Sequence, residues 1–188
     1  MELEATETLQ PTPKHNTTQP THLRLALGHQ ARVGKDTFAS QVPNVEIVSF
    51  ARDLYTLTGM VQTFAQVDVS KDPTLLQKLG MLMREHYNSD FWVNRAVEQI
   101  KHIEKINPSA NIVVTDMRLK NEMRAMERLG FITIKITRDN RPIDRDPSHI
   151  SEIDLANEPF HHHLTNNGTE EEFKQKVKDC LSIIQSVY

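Results

Sequence analysis

Only one cysteine, Cys180, stands among the 188 residues, so no disulfide can form within the chain. No run approaches the roughly 20 consecutive apolar residues that a membrane-spanning helix requires, so no membrane span is expected. Charge of one sign is also missing. The 22 Lys and Arg are slightly outnumbered by 25 Asp and Glu, for a net charge of -3, which gives no general pull toward nucleic acid. The first 20 residues lack the apolar centre of a secretory leader, so the expected compartment is the cytoplasm. What remains, with 38% hydrophobic residues, suits one domain with one core of ordinary size.

Residues 1–21 contain no aromatic side chain and three of the nine prolines. So little apolar surface cannot offset the entropy of ordering, and this stretch reads as a disordered tail ahead of a single domain over 22–188. The domain opens on Leu23 to Leu27, which has the length and composition of a buried strand. Val45 to Phe50, Ile112 to Thr115 and Phe131 to Thr137 are β-branched runs of the same kind. Between them lie helical patterns. From Phe91 to Ile106, apolar residues recur at three- and four-residue spacing. Thr169 and Glu172 form a T-x-x-E capping pattern ahead of an apolar stripe through Phe173, Val177, Leu181 and Ile184. Strands alternating with helices predict an α/β fold in three layers, a parallel sheet flanked by helices, with ligands beyond the carboxyl ends of the strands.

Chemistry concentrates at those ends. Gly28 to Thr37 (GHQARVGKDT) is a glycine-bearing loop between a strand and a helix, where inward-pointing N–H groups suit a polyphosphate. Ala31, Arg32, Val33 and Gly34 would wrap it, Lys35 would supply a point charge, and Thr37 a hydroxyl and N–H. Asp36 stands where a P-loop carries its magnesium-ligating Ser or Thr, and is assigned to the metal. The spacing from Gly28 to Gly34 is one residue longer than the usual loop, with His29 at the expected first glycine. A plain glycine turn with a solvated lysine is the alternative. Asp116 ends the strand IVVTD and is a second magnesium candidate; its alternative is a cap on the following helix.

The segment VVTDMRLKNEMRAMERLGFITIKITR (113–138) resembles the deoxynucleoside monophosphate kinase family. That is a P-loop kinase family related to adenylate kinase and common in phages, with D-V-R-x-x-N-E, L-G-G and a strand ending in Arg. GKDT (34–37), SFA (49–51), LQKLGMLMREHYNSDFWV (76–93) and SHISEIDLANEPFHHHLTNNGTEEEFKQKV (148–177) are similar to further family motifs in the same order. The resemblance covers residues 23–180. It departs at Arg52 and Tyr55, where Asp and Lys are usual, and matches the central motif only in part.

The resemblance implies transfer of the ATP γ-phosphate to a deoxynucleoside monophosphate with Mg²⁺, and it suggests a homodimer. Catalysis would then be positioning and charge neutralisation. Lys35, Arg118, Arg138 and Arg141 are the catalytic candidates, with Arg138 and Arg141 in a short lid loop (RDNRPIDRDPSH, with Arg145) that also reads as a solvated mixed-charge segment. Arg52, Arg84 and Arg118 are candidates for the acceptor phosphate. Trp92 is a candidate for base stacking, although its place on an apolar stripe favours packing. His149, Ser151 and Glu152 match H-x-S-E, with Glu152 a substrate candidate and helix initiation the alternative. Asn166, Asn167 and Gly168 would turn near the adenine of ATP. Asp90 is a candidate helix cap, Cys180 a packing residue, and His161 to His163 an edge strand rather than a metal site. Kinases of other phosphorylated small molecules, such as phosphomevalonate, and a non-catalytic nucleotide-binding module are the alternative functions.

Overall fold

The computed structural model describes residues 22–140 and 148–188. Both the tail assigned to 1–21 and the central part of the lid loop, with Arg141 and Arg145, lie outside the described residues. The five strands are β1 (Arg24–His29), β2 (Val45–Val48), β3 (Asn111–Met117), β4 (Ile132–Thr137) and β5 (His162–Thr165). Every neighbouring pair is parallel and the order is β2-β3-β1-β4-β5. β1 is central because it is apolar on both faces: Leu25, Ala26 and Leu27 are each 0% exposed.

Helices cover both faces. On one, α4 (Phe91–Ile106) and α5 (Lys120–Arg128) pack Val93, Ala96, Ile100, Met123 and Met126 against Ala26, Ile112 and Val114. On the other, α1 (Lys35–Ala39) and α7 (Glu170–Val187) bring Phe38, Phe173, Val177 and Ile184 onto Leu25, Leu27 and Ile134. Each fully buried large apolar side chain contributes roughly 1.5–3 kcal/mol, so these two seams hold the layers together. The helix expected over Phe91–Ile106 forms between those residues. The α7 cap forms in both directions: the Thr169 hydroxyl accepts the Glu172 N–H at 3.2 Å, and the Glu172 carboxylate accepts the Thr169 N–H at 2.8 Å. Cys180 is buried in the second seam, and the three histidines lie on and beside β5 at the sheet edge, as expected. Asp90 differs. It occupies the cap position of α4, but its carboxylate accepts from the Asn121 amide at 2.8 Å and makes no cap bond.

Two further helices, α2 (Arg52–Phe64) and α3 (Pro73–His86), follow β2, and a short α6 (Ile150–Ile153) precedes β5. Asp72 starts α3 by accepting the Leu75 N–H at 3.0 Å, with Pro73 in the first turn. Because all five strands run the same way, the segments after each of them emerge at one edge of the sheet. Residues 30–34, 49–51, 118–119, 138–140 and 166–168 therefore converge there, and α3 lies beside them.

Candidate active site

The cavity at that edge has a volume of about 650 Å³. Six cationic side chains line it (Arg32, Lys35, Lys71, Arg84, Arg118 and Arg138) against three carboxylates (Asp36, Asp116 and Glu122). A chain with a net charge of -3 thus gathers positive charge in one concave place, which favours an anionic ligand there.

At one end of the cavity is the loop between β1 and α1. Gly34 has φ 103°, and a Cβ there would lie 2.5 Å from Asn166 Nδ2 and 3.0 Å from the Phe173 ring. Both the backbone conformation and the close packing demand glycine. Gly28 is in a different situation from that expected. It belongs to β1, paired with Met117 and Lys135, and a Cβ on it would meet the Phe160 ring at 2.7 Å. β1 continues through His29. Gly28 is therefore a packing glycine rather than the first glycine of the loop, and the surplus residue is absorbed by the strand. Gly34→Ala is expected to cost about 1–3 kcal/mol of stability from strain at positive φ, read as a lowered denaturation midpoint. An unchanged midpoint would mean that the loop is not held as described.

Lys35 is 8% exposed, and its ammonium donates to the carbonyl of Gln30 within the same loop. Burial pushes its pKa from 10.5 to about 7, and the neighbouring Arg118 charge pushes the same way, against the pull of Asp116, Glu152 and Asp36. Its charge is poised for an anion. Asp36 and Thr37 also face the cavity, as do Ala31, Arg32 and Gly34, while Val33 is buried beneath. The Val33 carbonyl accepts the Asn166 side-chain N–H at 2.9 Å, so the turn after β5 pins the loop from below.

Asp116 lies within β3 and does not cap α5. Its Oδ2 accepts the Ser49 hydroxyl at 2.6 Å and the Ala51 N–H at 3.0 Å, and its Oδ1 accepts the Phe50 N–H at 2.9 Å. The carboxylate thus orders the turn after β2. Oδ1 accepts only that one bond among the described residues, and Asp116 lines the cavity.

Two arginines occupy the middle. Arg118 donates to Glu152 at 2.5 Å, and Glu152 is 3% exposed. Arg84 lies 3.6 Å from Glu122, which is also 3% exposed. Glu122 additionally accepts the N–H groups of Arg118 at 2.7 Å and Leu119 at 3.0 Å. Burial pushes its carboxyl up to about 7, the Arg118 N–H opposes that, and Asp116 adds to it. Each arginine is paired with a buried carboxylate, Arg118 hydrogen-bonded to Glu152 and Arg84 facing Glu122 across 3.6 Å, which biases each guanidinium toward one place before any ligand arrives. Glu122 was not anticipated as a site residue. Its only sequence signal is the N-E pair at 121–122 within the D-x-R-x-x-N-E pattern, since the long-range contact with α3 leaves no local trace.

Other candidates are placed less directly. Glu152 is behind Arg118 rather than on the cavity wall. In α6, His149 is the cap, its ring accepting the Ser151 N–H at 3.2 Å, so this segment both starts a helix and positions Arg118. Arg52 is exposed at the start of α2 and does not line the cavity; Ala51, Leu54 and Tyr55 do. Trp92 lines it but is 3% exposed and donates its indole N–H to the Gly80 carbonyl at 3.1 Å, which favours the packing role of locking α3 to α4. Arg138 reaches the cavity from the end of β4. Asn167 does not line it, since its amide is engaged in both directions with Asp139, at 3.0 and 2.6 Å.

The family model for deoxynucleotide monophosphate kinase matches residues 73–177. The chain belongs to that family. The matched stretch contains Arg84, Trp92, Asp116, Arg118, Glu122, Arg138 and Glu152, while the loop at 31–37 lies ahead of it. A protein of Acanthamoeba polyphaga mimivirus named "Putative deoxynucleotide monophosphate kinase" is 37% identical over 76 residues. That alignment covers 40% of this chain and 38% of the relative, so the chain spans well under half of the viral protein's length. Among the described residues no helix is long and apolar enough to cross a membrane.

Proposed function

We propose that this chain transfers the γ-phosphate of ATP to a deoxynucleoside monophosphate, giving ADP and a deoxynucleoside diphosphate. The observation that carries the reading is one cavity with the Gly34–Thr37 loop and Lys35 at one end and two carboxylate-backed arginines, Arg84 and Arg118, in its middle. Two polyanions brought together repel each other, and fixed cations between them offset that repulsion most as charge spreads in the transition state. In this scheme Lys35 leaves the Gln30 carbonyl for the donor phosphates, and Arg138 flanks the donor from β4. Arg118 and Arg84 hold the acceptor phosphate in line. The apolar wall from α2 and α3 takes the nucleoside and keeps water from the transferring group.

Magnesium fits the oxygen donors present. Among the described residues no group of three His, Cys, Asp or Glu is arranged to cage an ion. Mg²⁺ in such sites is held by one or two carboxylates together with substrate phosphates, and keeps several waters. Asp36, the Thr37 hydroxyl and the remaining Asp116 lone pair would supply the protein's share. The ion would neutralise phosphate charge.

ADP release, measured by a coupled assay over the deoxynucleoside monophosphates and phosphomevalonate, tests the reading. Stimulation by at least one deoxynucleoside monophosphate supports it; stimulation by phosphomevalonate alone, or by nothing, overturns it.

Proton linkage gives a second check. Lys35 has a pKa of about 7 in the free protein, and adjacent phosphates restore its charge. Below pH 7 the lysine is charged in both states and contributes no pH dependence. Above pH 7 the complex holds more protons than the free protein, so affinity falls as pH rises, by up to about tenfold per unit. Calorimetry of ATP binding at pH 8 in buffers of different ionisation enthalpy is expected to show uptake approaching one proton; none would contradict the Lys35 assignment.

A further inference from the structure

The wall formed by α3 is a ruler. Gln77, Gly80 and Arg84 recur at intervals of three and four residues, so they share one helical face, and all three line the cavity. Seven residues separate Gln77 from Arg84, about 10.5 Å along the axis, which matches the reach of a nucleotide from its phosphate to the far edge of its base. Between them Gly80 presents no side chain, and α2 packs close over it: a Cβ there would lie 3.3 Å from Leu54 Cδ2 and 3.5 Å from Arg84 Nη1. The same cavity is lined by Leu54 and Tyr55 of α2, by Pro73, Leu76 and Met81 of α3, and by Lys71 just ahead of α3.

Two polar groups of the cavity are committed elsewhere. The Trp92 N–H is spent on Gly80, and the Ser49 hydroxyl on Asp116. Gln77 is half-buried and its amide has no hydrogen-bond partner among the described residues. An amide offers a donor and an acceptor side by side, the pattern that every base presents on one edge or another.

We propose that Gln77 reads the base of the acceptor nucleotide, hydrogen-bonding its edge when the phosphate is held seven residues along the same helix by Arg84. This rests on the kinase reading above, and deepens it by naming the group that recognises the base. Gln77→Leu removes both hydrogen bonds and keeps the shape. Gln77→Glu leaves an acceptor-only group, which still pairs with the adjacent N1–H and N2–H of guanine but not with the O4 and N3–H of thymine together.

The experiment is steady-state kinetics of the wild type and both variants with the four deoxynucleoside monophosphates, alongside ATP affinity by calorimetry. With Gln77→Leu, kcat/KM is expected to fall roughly 5- to 100-fold for the favoured bases, mainly through KM, with the spread between bases narrowed. With Gln77→Glu, the dGMP-to-dTMP ratio of kcat/KM is expected to rise about tenfold or more. ATP affinity unchanged in both variants shows that the fold is intact. If both variants turn over with the wild-type ranking of bases, the inference is overturned while the kinase reading stands. If the wild type phosphorylates none of the four, both fall together.

Discussion

Lys35→Ala is expected to lower kcat by about 10²- to 10⁴-fold while leaving the protein at least as stable as the wild type. The first half follows if Lys35 supplies a fixed charge where phosphoryl charge develops, as proposed above. The second half is less usual. Burial costs Lys35 much of its affinity for a proton, so in the empty protein the ammonium is a strained group whose best partner is the Gln30 carbonyl. Alanine relieves that strain. A chemical denaturation curve beside a turnover assay separates the outcomes: lost activity with undiminished stability is expected. Retained activity would remove Lys35 from the chemistry, whereas a large loss of stability would make it a structural residue.

Arg118→Met is expected to act on both quantities. It removes the Arg118 ion pair from Glu152, which is 3% exposed, and breaking a buried pair costs about 3–5 kcal/mol. It also removes a forked donor from the acceptor phosphate, with an expected fall of about 10²- to 10³-fold in kcat/KM for the monophosphate. The double variant Arg118→Met with Glu152→Gln separates the two effects. A neutral amide tolerates the missing partner, so stability recovers substantially while kcat/KM stays low. If activity recovers together with stability, Arg118 contributes only to folding.

Much of the architecture could be read from local patterns. The capping pattern at Thr169, the stripe of α4 and the β-branched runs are short-range signals, and each became the expected element because burial and propensity agree there. The site was legible in its types more than in its wiring. Lys35, Arg84, Arg118, Arg138 and Asp116 do converge, since a parallel sheet puts the carboxyl ends of its strands on one edge. What sequence could not supply were contacts between distant segments. Asp116 meets residues 49–51, Glu122 meets Arg84, and Asn166 meets Val33, all across separations that no motif spacing encodes.

Two readings changed for definite reasons. Gly28 looked like the opening of the loop because glycine before a G-K pair usually is. It is instead inside β1, where the Phe160 ring leaves no room for a side chain. Asn167 was expected near the adenine of ATP from the family resemblance of the N-N-G turn; its amide instead closes onto Asp139, and its neighbour Asn166 braces the loop between β1 and α1. Arg52 illustrates the same limit from the other side, a cation near the right segment in sequence that the start of α2 leaves in solvent.

The central claim is that residues 31–37 wrap the donor triphosphate. A crystal structure with a non-hydrolysable ATP analogue, magnesium and a deoxynucleoside monophosphate tests it most directly. Lys35 is expected to be released from Gln30 and directed at the β- and γ-phosphates, with the acceptor phosphate between Arg84 and Arg118. A triphosphate bound elsewhere, with Lys35 still on the Gln30 carbonyl, would contradict it.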